Sequence, residues 1–168
     1  MIEDTEQFKD RSVRELLALS RLILRELRQR GVTRTGNAPT GDYAELLVQE
    51  ATGGELATNS QRSWDVLTPE REHLQVKARI ITGVGRGEHQ LSPFRSWEFD
   101  AAVIVLFDDD YGISRATRVS VDDLQAAARW AKHVNGWLVF ATDNLLDGGE
   151  DWTERLQQVV INGGVAGG

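Results

Sequence analysis

An aspartate, a glutamine and a lysine stand close together in the segment WDVLTPEREHLQVKAR, at Asp65, Gln75 and Lys77. Polarity alternates along this segment, which is typical of strands, and TPERE marks a turn between two of them. Directly opposed residues of an antiparallel pair point to the same face, so the loop length decides which side chains meet. A five-residue loop over 68–72 would oppose Asp65 to Gln75, whereas a four-residue loop would mix polar and apolar side chains. The first register is therefore predicted.

This register predicts one polar and one apolar face for the hairpin. Hard divalent cations prefer oxygen ligands, which Asp65 offers as a carboxylate, Gln75 as an amide and Val76 as a backbone carbonyl. Lys77 would then help to position or deprotonate a metal-bound water, or stabilise charge on a phosphorane. Arg79 extends the polar face, and the side chains expected on the apolar face are Trp64, Val66, Leu74, Val76, Ala78 and Ile80.

Composition gives an independent reason to single out Lys77. The chain has sixteen arginines and only three lysines, so a cation without a special task would usually be an arginine here. The pKa of a lysine falls readily on burial, whereas a guanidinium stays charged. The alternative interpretation is an exposed polar strand face that carries no chemistry.

The hairpin resembles the active-site hairpin of PD-(D/E)XK, or restriction-endonuclease-like, nucleases, and Gln before x-Lys resembles the Mrr-like variant. The resemblance implies an α/β fold with an αβββαβ core over about 40–142 and a mixed central sheet flanked by helices. It also implies that Glu45, on the helix before the hairpin, completes the metal site. Trp64 replaces the family's proline, and Gln75 removes one negative charge, so weaker metal binding, helped by DNA phosphate, is expected.

The activity that this resemblance implies is divalent-metal-dependent hydrolysis of DNA phosphodiester bonds, in bacterial restriction or defence. Mg²⁺ is the expected metal, Mn²⁺ is expected to substitute, and no organic cofactor is expected. A homodimer would allow both strands to be cut. The alternative is a catalytically weak or inactive nuclease fold that binds nucleic acid or a protein partner.

The remaining periodicities predict one domain over 1–162 with a flexible tail at 163–168. Helical spacing over 12–30 predicts an additional N-terminal helix. A second helix is expected from an N-cap at Thr40 to Gly53 and Gly54. The elements expected after the hairpin are the buried strand FDAAVIVLF, the strand ISRATRVS, the helix VDDLQAAARWAKHV, the strand WLVFAT and the helix DWTERLQQVVI.

A net charge of −7 hides a strong asymmetry along the chain. Residues 9–36 hold eight basic and three acidic side chains, whereas 96–168 hold five basic and twelve acidic ones. Four arginines of the first helix fall within about 60° of one another, which favours phosphate binding. They could instead pair with the acidic half, within the chain or across a dimer. The expected nucleic-acid contacts are Arg14, Arg21, Arg25, Arg28, Arg34, Arg62, Arg79 and Arg86.

Several classes of protein are excluded by what the sequence lacks. Without cysteine it can form no disulfide, thiolate zinc site or cysteine nucleophile. It has no apolar run of the roughly 20 residues that a membrane helix needs and no signal-like N-terminus, so a cytoplasmic, soluble protein is expected. GVGRG lacks the Lys-Ser/Thr of a phosphate-binding loop, and the histidines lack metal-ligand spacing.

Overall fold

The computed structural model describes residues 6–33, 39–58, 63–83, 85 and 87–161. In this part of the chain the helices are α1 (Glu6–Lys9), α2 (Val13–Gln29), α3 (Thr40–Thr52), α4 (Val121–Ala127), α5 (Asp143–Asp147) and α6 (Thr153–Ile161). The strands are β1 (Glu55–Leu56), β2 (Val66–Leu67), β3 (His73–Ile80), β4 (Ala101–Phe107), β5 (Ile113–Ser120), β6 (Arg129–Ala131), β7 (Gly136–Leu138) and β8 (Glu150–Asp151). The protein is an α/β protein, as the sequence predicts.

Six of the strands form one mixed sheet in the order β1-β2-β3-β4-β5-β8. Strands β3 and β4 are parallel, and the other neighbouring pairs are antiparallel. Every residue of β4 is buried, which confirms the predicted central strand, because an apolar run without alternation suits a strand covered on both faces.

The two faces of this sheet are covered by different kinds of structure. On one face, α3 and α6 bury Leu47, Val48 and Leu156 against Val103 and Val105 of β4. On the other face, Ile104 packs beneath the irregular segment 87–100, α4 and α5. The segment 87–100 connects toward β4 in place of a regular helix, so β3 and β4 are parallel neighbours without an α-helix in the described part of their connection.

The predicted register of the β2–β3 hairpin is confirmed. Val66 lies opposite Leu74, and Leu67 lies opposite His73. The five-residue loop closes through a hydrogen bond from Thr68 N to Glu72 O of 2.9 Å.

The expected position of Trp64 on the apolar face is wrong. Its ring packs with the cluster on the other side of the sheet and lies 4.8 Å from the ring of His73. The reason is that β2 begins only at Val66, so strand alternation does not extend back to Trp64.

The helices α2 and α3 follow their predicted bounds closely, whereas the short helix α1 was not predicted from the sequence. Ser12 caps α2 and forms a capping box with Glu15. The C-terminal cap of α3 is Gly53, in the left-handed conformation with φ of 66°, which glycine adopts without strain. Thr40 is the first helical residue and Pro39 the N-cap, one position from the prediction. No described helix is long and apolar enough to span a bilayer.

The predicted extents of two C-terminal elements are wrong. The helix expected over 121–134 ends at Ala127, because the chain then enters β6. WLVFAT contributes only β7, which pairs with β6 in a separate two-stranded sheet. The turn between them uses Asn135 with φ of 49°, and the Trp130–Trp137 pair replaces the helical contacts. The last predicted helix is confirmed as α6, while the tail 163–168 lies outside the described residues.

Candidate active site

Asp65 lies at the centre of the candidate site. It precedes β2 directly, and its Oδ2 atom accepts hydrogen bonds from Gln75 Nε2 at 2.8 Å and Val76 N at 2.7 Å. Its own backbone is held on both sides, because Asp65 N donates to Leu74 O and Asp65 O accepts from Ala57 N, each at 2.8 Å. The carboxylate is thus fixed against β3, as the predicted register requires.

Gln75 and Val76 supply the uncharged oxygens beside this carboxylate. The Gln75 amide uses its nitrogen for Asp65, which leaves Oε1 as its possible metal ligand. Val76 directs its N–H at Asp65, and the C=O of a strand residue points to the same side as its N–H. The carbonyl predicted as a ligand therefore lies on the Asp65 side of β3.

Lys77 is partly buried and is held by the segment 87–100. Its Nζ atom donates to Ser92 Oγ at 3.1 Å and to Pro93 O at 3.3 Å, and it lies 4.7 Å from the centroid of the Phe94 ring. Burial lowers the pKa of Lys77, opposed by the negative charge of Asp65 and reinforced by the positive charge of Arg95. The ammonium is consequently more acidic than that of an ordinary lysine.

Glu45 lies on α3, the helix that precedes the hairpin. Leu47 and Val48 bury one side of this helix in the core, and Glu45 is half-buried. Its negative charge acts on Lys77 and opposes the lowering of the pKa of that lysine, although 32 positions separate the two residues in the sequence.

The donor set has the chemistry that Mg²⁺ requires but a low charge. It comprises two carboxylates, one amide oxygen and one backbone carbonyl, all hard oxygen donors. Among the described residues, no cluster of three or more Asp, Glu, His or Cys side chains could hold a metal ion. The predicted set has only two acidic side chains, those of Asp65 and Glu45, because the residue at position 75 is a neutral glutamine.

The arginines expected to bind nucleic acid differ in their surroundings. Arg79 is half-buried and its Nε atom donates to Gln90 O, so it braces the segment 87–100 from within. Arg21, Arg25 and Arg28 are exposed, and none of them pairs with an acidic side chain in the part of the chain that the structure describes. Arg34, Arg62, Arg86 and the side chain of Arg14 lie outside the described residues.

The residues that hold Lys77 were not predicted from the sequence. Ser92 and Pro93 fall in a stretch rich in Gly, Ser and Pro, which is typical of a surface loop. The aromatic residues of this stretch could have indicated that it is not an exposed loop. Phe94, Trp97 and Phe99 are unusual at exposed positions, and all three pack against the sheet. Comparison of the sequence with protein-family models and with curated proteins finds no match.

Proposed function

We propose that this protein is a divalent-metal-dependent endonuclease that hydrolyses DNA phosphodiester bonds. The observation that supports it most is the joint hydrogen bonding of Gln75 and Val76 to the Asp65 carboxylate, with Lys77 two residues after Gln75 on the same strand. This is the constellation of oxygen ligands and a desolvated cation that phosphodiester hydrolysis needs.

Each residue has a role that follows from its chemistry. Asp65 and Glu45 would hold Mg²⁺ together with the Gln75 amide oxygen and the Val76 carbonyl; Mn²⁺ offers the same preference for oxygen ligands. When bound, the metal would polarise the phosphodiester and lower the pKa of an attacking water. Lys77, fixed by Ser92 and Pro93, would place its positive charge beside the phosphorane, where negative charge develops.

The fold supports the restriction-endonuclease-like interpretation in part. A helix precedes the hairpin, and the strand that follows is buried and parallel to the lysine strand. The chain departs from an αβββαβ core after α4, because the strand expected there lies in the separate β6–β7 sheet.

A second candidate is a nuclease-like protein that binds nucleic acid, or a protein partner, without cutting it. The observation that favours it is the Gln75 amide, which gives Asp65 a neutral hydrogen-bond donor where a cation would otherwise neutralise the carboxylate. A role in restriction or defence is compatible with either candidate function. Both candidates are also compatible with a monomer and with a homodimer.

Nicking of supercoiled plasmid DNA separates the two candidates. We expect nicking in Mg²⁺ and Mn²⁺ and none in excess EDTA. Asp65→Ala should reduce it by about a thousandfold, since it removes an anionic metal ligand. Glu70→Ala, an exposed acid of the same hairpin loop, is the matched control and should cut normally. DNA binding without any metal-dependent change of topology would establish the second candidate.

A further inference from the structure

We infer that the β6–β7 hairpin, residues 129–138, binds a single nucleic-acid strand and stacks one unpaired base on Trp130. The inference rests on the proposed function and deepens it, because it specifies that strand separation precedes entry into the site. The β6–β7 hairpin contains none of the arginines from which nucleic-acid binding was predicted. Its role follows from exposure, ring contacts, backbone attachment and charge.

Trp130 is unusually open to solvent for its residue type. Half of its surface is exposed, whereas the other four tryptophans are partly or fully buried. A large aromatic ring gains more from burial than most side chains, so one left open on a short hairpin is a candidate contact for a ligand. A nucleobase offers the flat π-face that such a ring prefers.

A continuous series of aromatic rings supports Trp130 from beneath and connects it with the candidate active site. The centroids of Trp130 and Trp137 are 4.7 Å apart, those of Trp137 and Trp97 5.4 Å, and those of Trp97 and Phe94 5.3 Å. Phe94 in turn lies 4.7 Å from Lys77 Nζ. Trp130 is therefore within about 20 Å of the Lys77 ammonium, about six nucleotide steps at the spacing of a stacked strand.

The backbone attaches the hairpin firmly to the segment that holds Lys77. Phe94 and Trp137 exchange two N–H···O hydrogen bonds of 2.9 Å each. The Arg95 guanidinium donates to the carbonyls of Val134 and Asn135 at the hairpin turn. At Gly136 a Cβ would come within 2.9 Å of the Phe94 carbonyl oxygen, so this close approach requires glycine. These contacts fix the position of the β6–β7 hairpin relative to the candidate active site.

The charge of the hairpin complements a phosphate backbone. Residues 124–142 contain Arg129, Lys132 and His133 and no acidic residue, within a half of the chain that is otherwise strongly acidic. Arg129 and Lys132 are both exposed, and neither forms an ion pair with another described residue. Cations beside an exposed aromatic ring are the combination by which proteins bind a single strand without sequence preference.

An unpaired base, rather than a duplex, is the occupant that this geometry favours. A base in a duplex is stacked on both faces, so only an unstacked base can offer a face to Trp130. Every base has such a face, and the hairpin should therefore tolerate any sequence. An apolar protein partner would not require the positive charges of the hairpin. Substitution of these cations therefore distinguishes a nucleic-acid strand from a protein partner.

The test compares the affinities of labelled oligothymidylate and of a duplex of equal length by fluorescence anisotropy in EDTA, where cleavage is absent. Trp130→Ala should weaken single-strand binding about tenfold, the loss typical of one stacked base. Trp130→Phe, which keeps a ring, should retain most of the affinity. Phe140→Ala is the matched control, because Phe140 is also exposed but lies outside the ring series, and it should bind as the wild type does.

A second measurement does not depend on removing the ring. Arg129→Ala and Lys132→Ala should each reduce the slope of log K against log salt by about 0.7, the value for one phosphate contact of a single strand. Quenching of tryptophan fluorescence by oligothymidylate should disappear in Trp130→Phe. Unchanged salt slopes together with unchanged quenching would overturn the inference and would favour a protein partner for this surface.

Plasmid nicking by the wild type and Trp130→Ala, run in parallel, separates this inference from the proposed function. Single-strand binding that depends on Trp130, without metal-dependent nicking, supports the hairpin as a strand-binding surface and overturns the nuclease. If the wild type nicks plasmid DNA and Trp130→Ala binds single strands as tightly as the wild type does, the nuclease is supported and the inference about the hairpin is overturned.

Discussion

The side of the central sheet that α3 and α6 cover is packed with aliphatic and aromatic side chains, whereas on the opposite side of β3 polar side chains lie against an irregular segment. On the first side, Leu74 and Val76 are buried beneath α3. On the second, Gln75 and Lys77 hydrogen-bond to Asp65 and to the segment 87–100. One strand therefore contributes to the core with alternate residues and to the candidate site with the others.

Residues that contribute to stability and residues that could contribute to chemistry therefore alternate along a single strand. Helical cover excludes water completely and suits apolar packing. The irregular segment brings a hydroxyl and a backbone carbonyl to Lys77, whereas the carbonyls in the interior of a helix are already hydrogen-bonded within it. Substitutions on the first side should therefore change stability, and those on the second should change metal binding, titration or activity.

The largest expected effect on stability is that of Leu47→Ala, on the α3 side. Leu47 is fully buried, and the cavity should lower the free energy of unfolding by about 3 kcal/mol, or the melting temperature by about 6–12 °C. Leu46→Ala, on the same helix but half-buried, should cost clearly less. Nicking activity per folded molecule should remain that of the wild type; a selective loss of activity would break the proposed separation.

Gln75→Glu tests the opposite side and should make the protein respond more strongly to metal. It replaces the donor to Asp65 by a second carboxylate at about the same 2.8 Å separation, which costs about 1–2 kcal/mol without a cation. Mg²⁺ should restore this loss and bind more tightly than in the wild type. The measurement is the melting temperature in EDTA and in Mg²⁺.

The matched control for this substitution is Gln157→Glu on α6, where the amide donates 2.9 Å to the backbone carbonyl of Ile113. It loses an equivalent hydrogen bond away from the candidate site, so it should be destabilised without a response to Mg²⁺. Equal behaviour of the two variants would show that position 75 does not face a metal.

Lys77→Met should reveal the lowered pKa of Lys77 as a pH-dependent difference in stability. Because the folded-state pKa lies below the ordinary value of 10.5, the unfolded chain binds more protons in the interval between them, and wild-type stability rises with pH there. The melting temperature of the wild type relative to Lys77→Met should therefore increase as the pH rises toward 10.5. Parallel curves for the two proteins would refute the desolvation of Lys77.

The smallest expected effect on stability is that of the double variant Arg21→Ala with Arg25→Ala, on α2. Both side chains are exposed, so the melting temperature should not change. If they contact phosphates, the slope of log K against log salt for duplex DNA should fall by about 0.9 for each of them. Arg30→Ala, whose guanidinium already pairs with Glu26 at 2.7 Å, is the control. A lower melting temperature or dissociation of an oligomer would instead indicate an acidic partner surface.

Local patterns are sufficient for the elements that carry most of the site. Alternation and a turn of fixed length predict the pairing of Val66 with Leu74, because a shift by one residue would expose every apolar side chain of the hairpin. Helical spacing and Gly53 likewise predict α3 and its end. The position of Glu45 near Lys77 is different, since it came from a resemblance and not from any local pattern.

The α/β class, the buried strand β4 and the register that joins Asp65 to Gln75 can be derived from the amino-acid sequence. The support of Lys77 by Ser92 and Pro93 and the pairing of β6 with β7 depend on the folded arrangement of the chain. In the first group, the residues that interact are neighbours in sequence or repeat with the period of one element. In the second, Lys77 contacts residues 15 and 16 positions further along the chain. The β6–β7 hairpin is local, but two hydrogen bonds between Trp137 and Phe94 attach it to a distant segment, and such contacts override the helical pattern of residues 121–134.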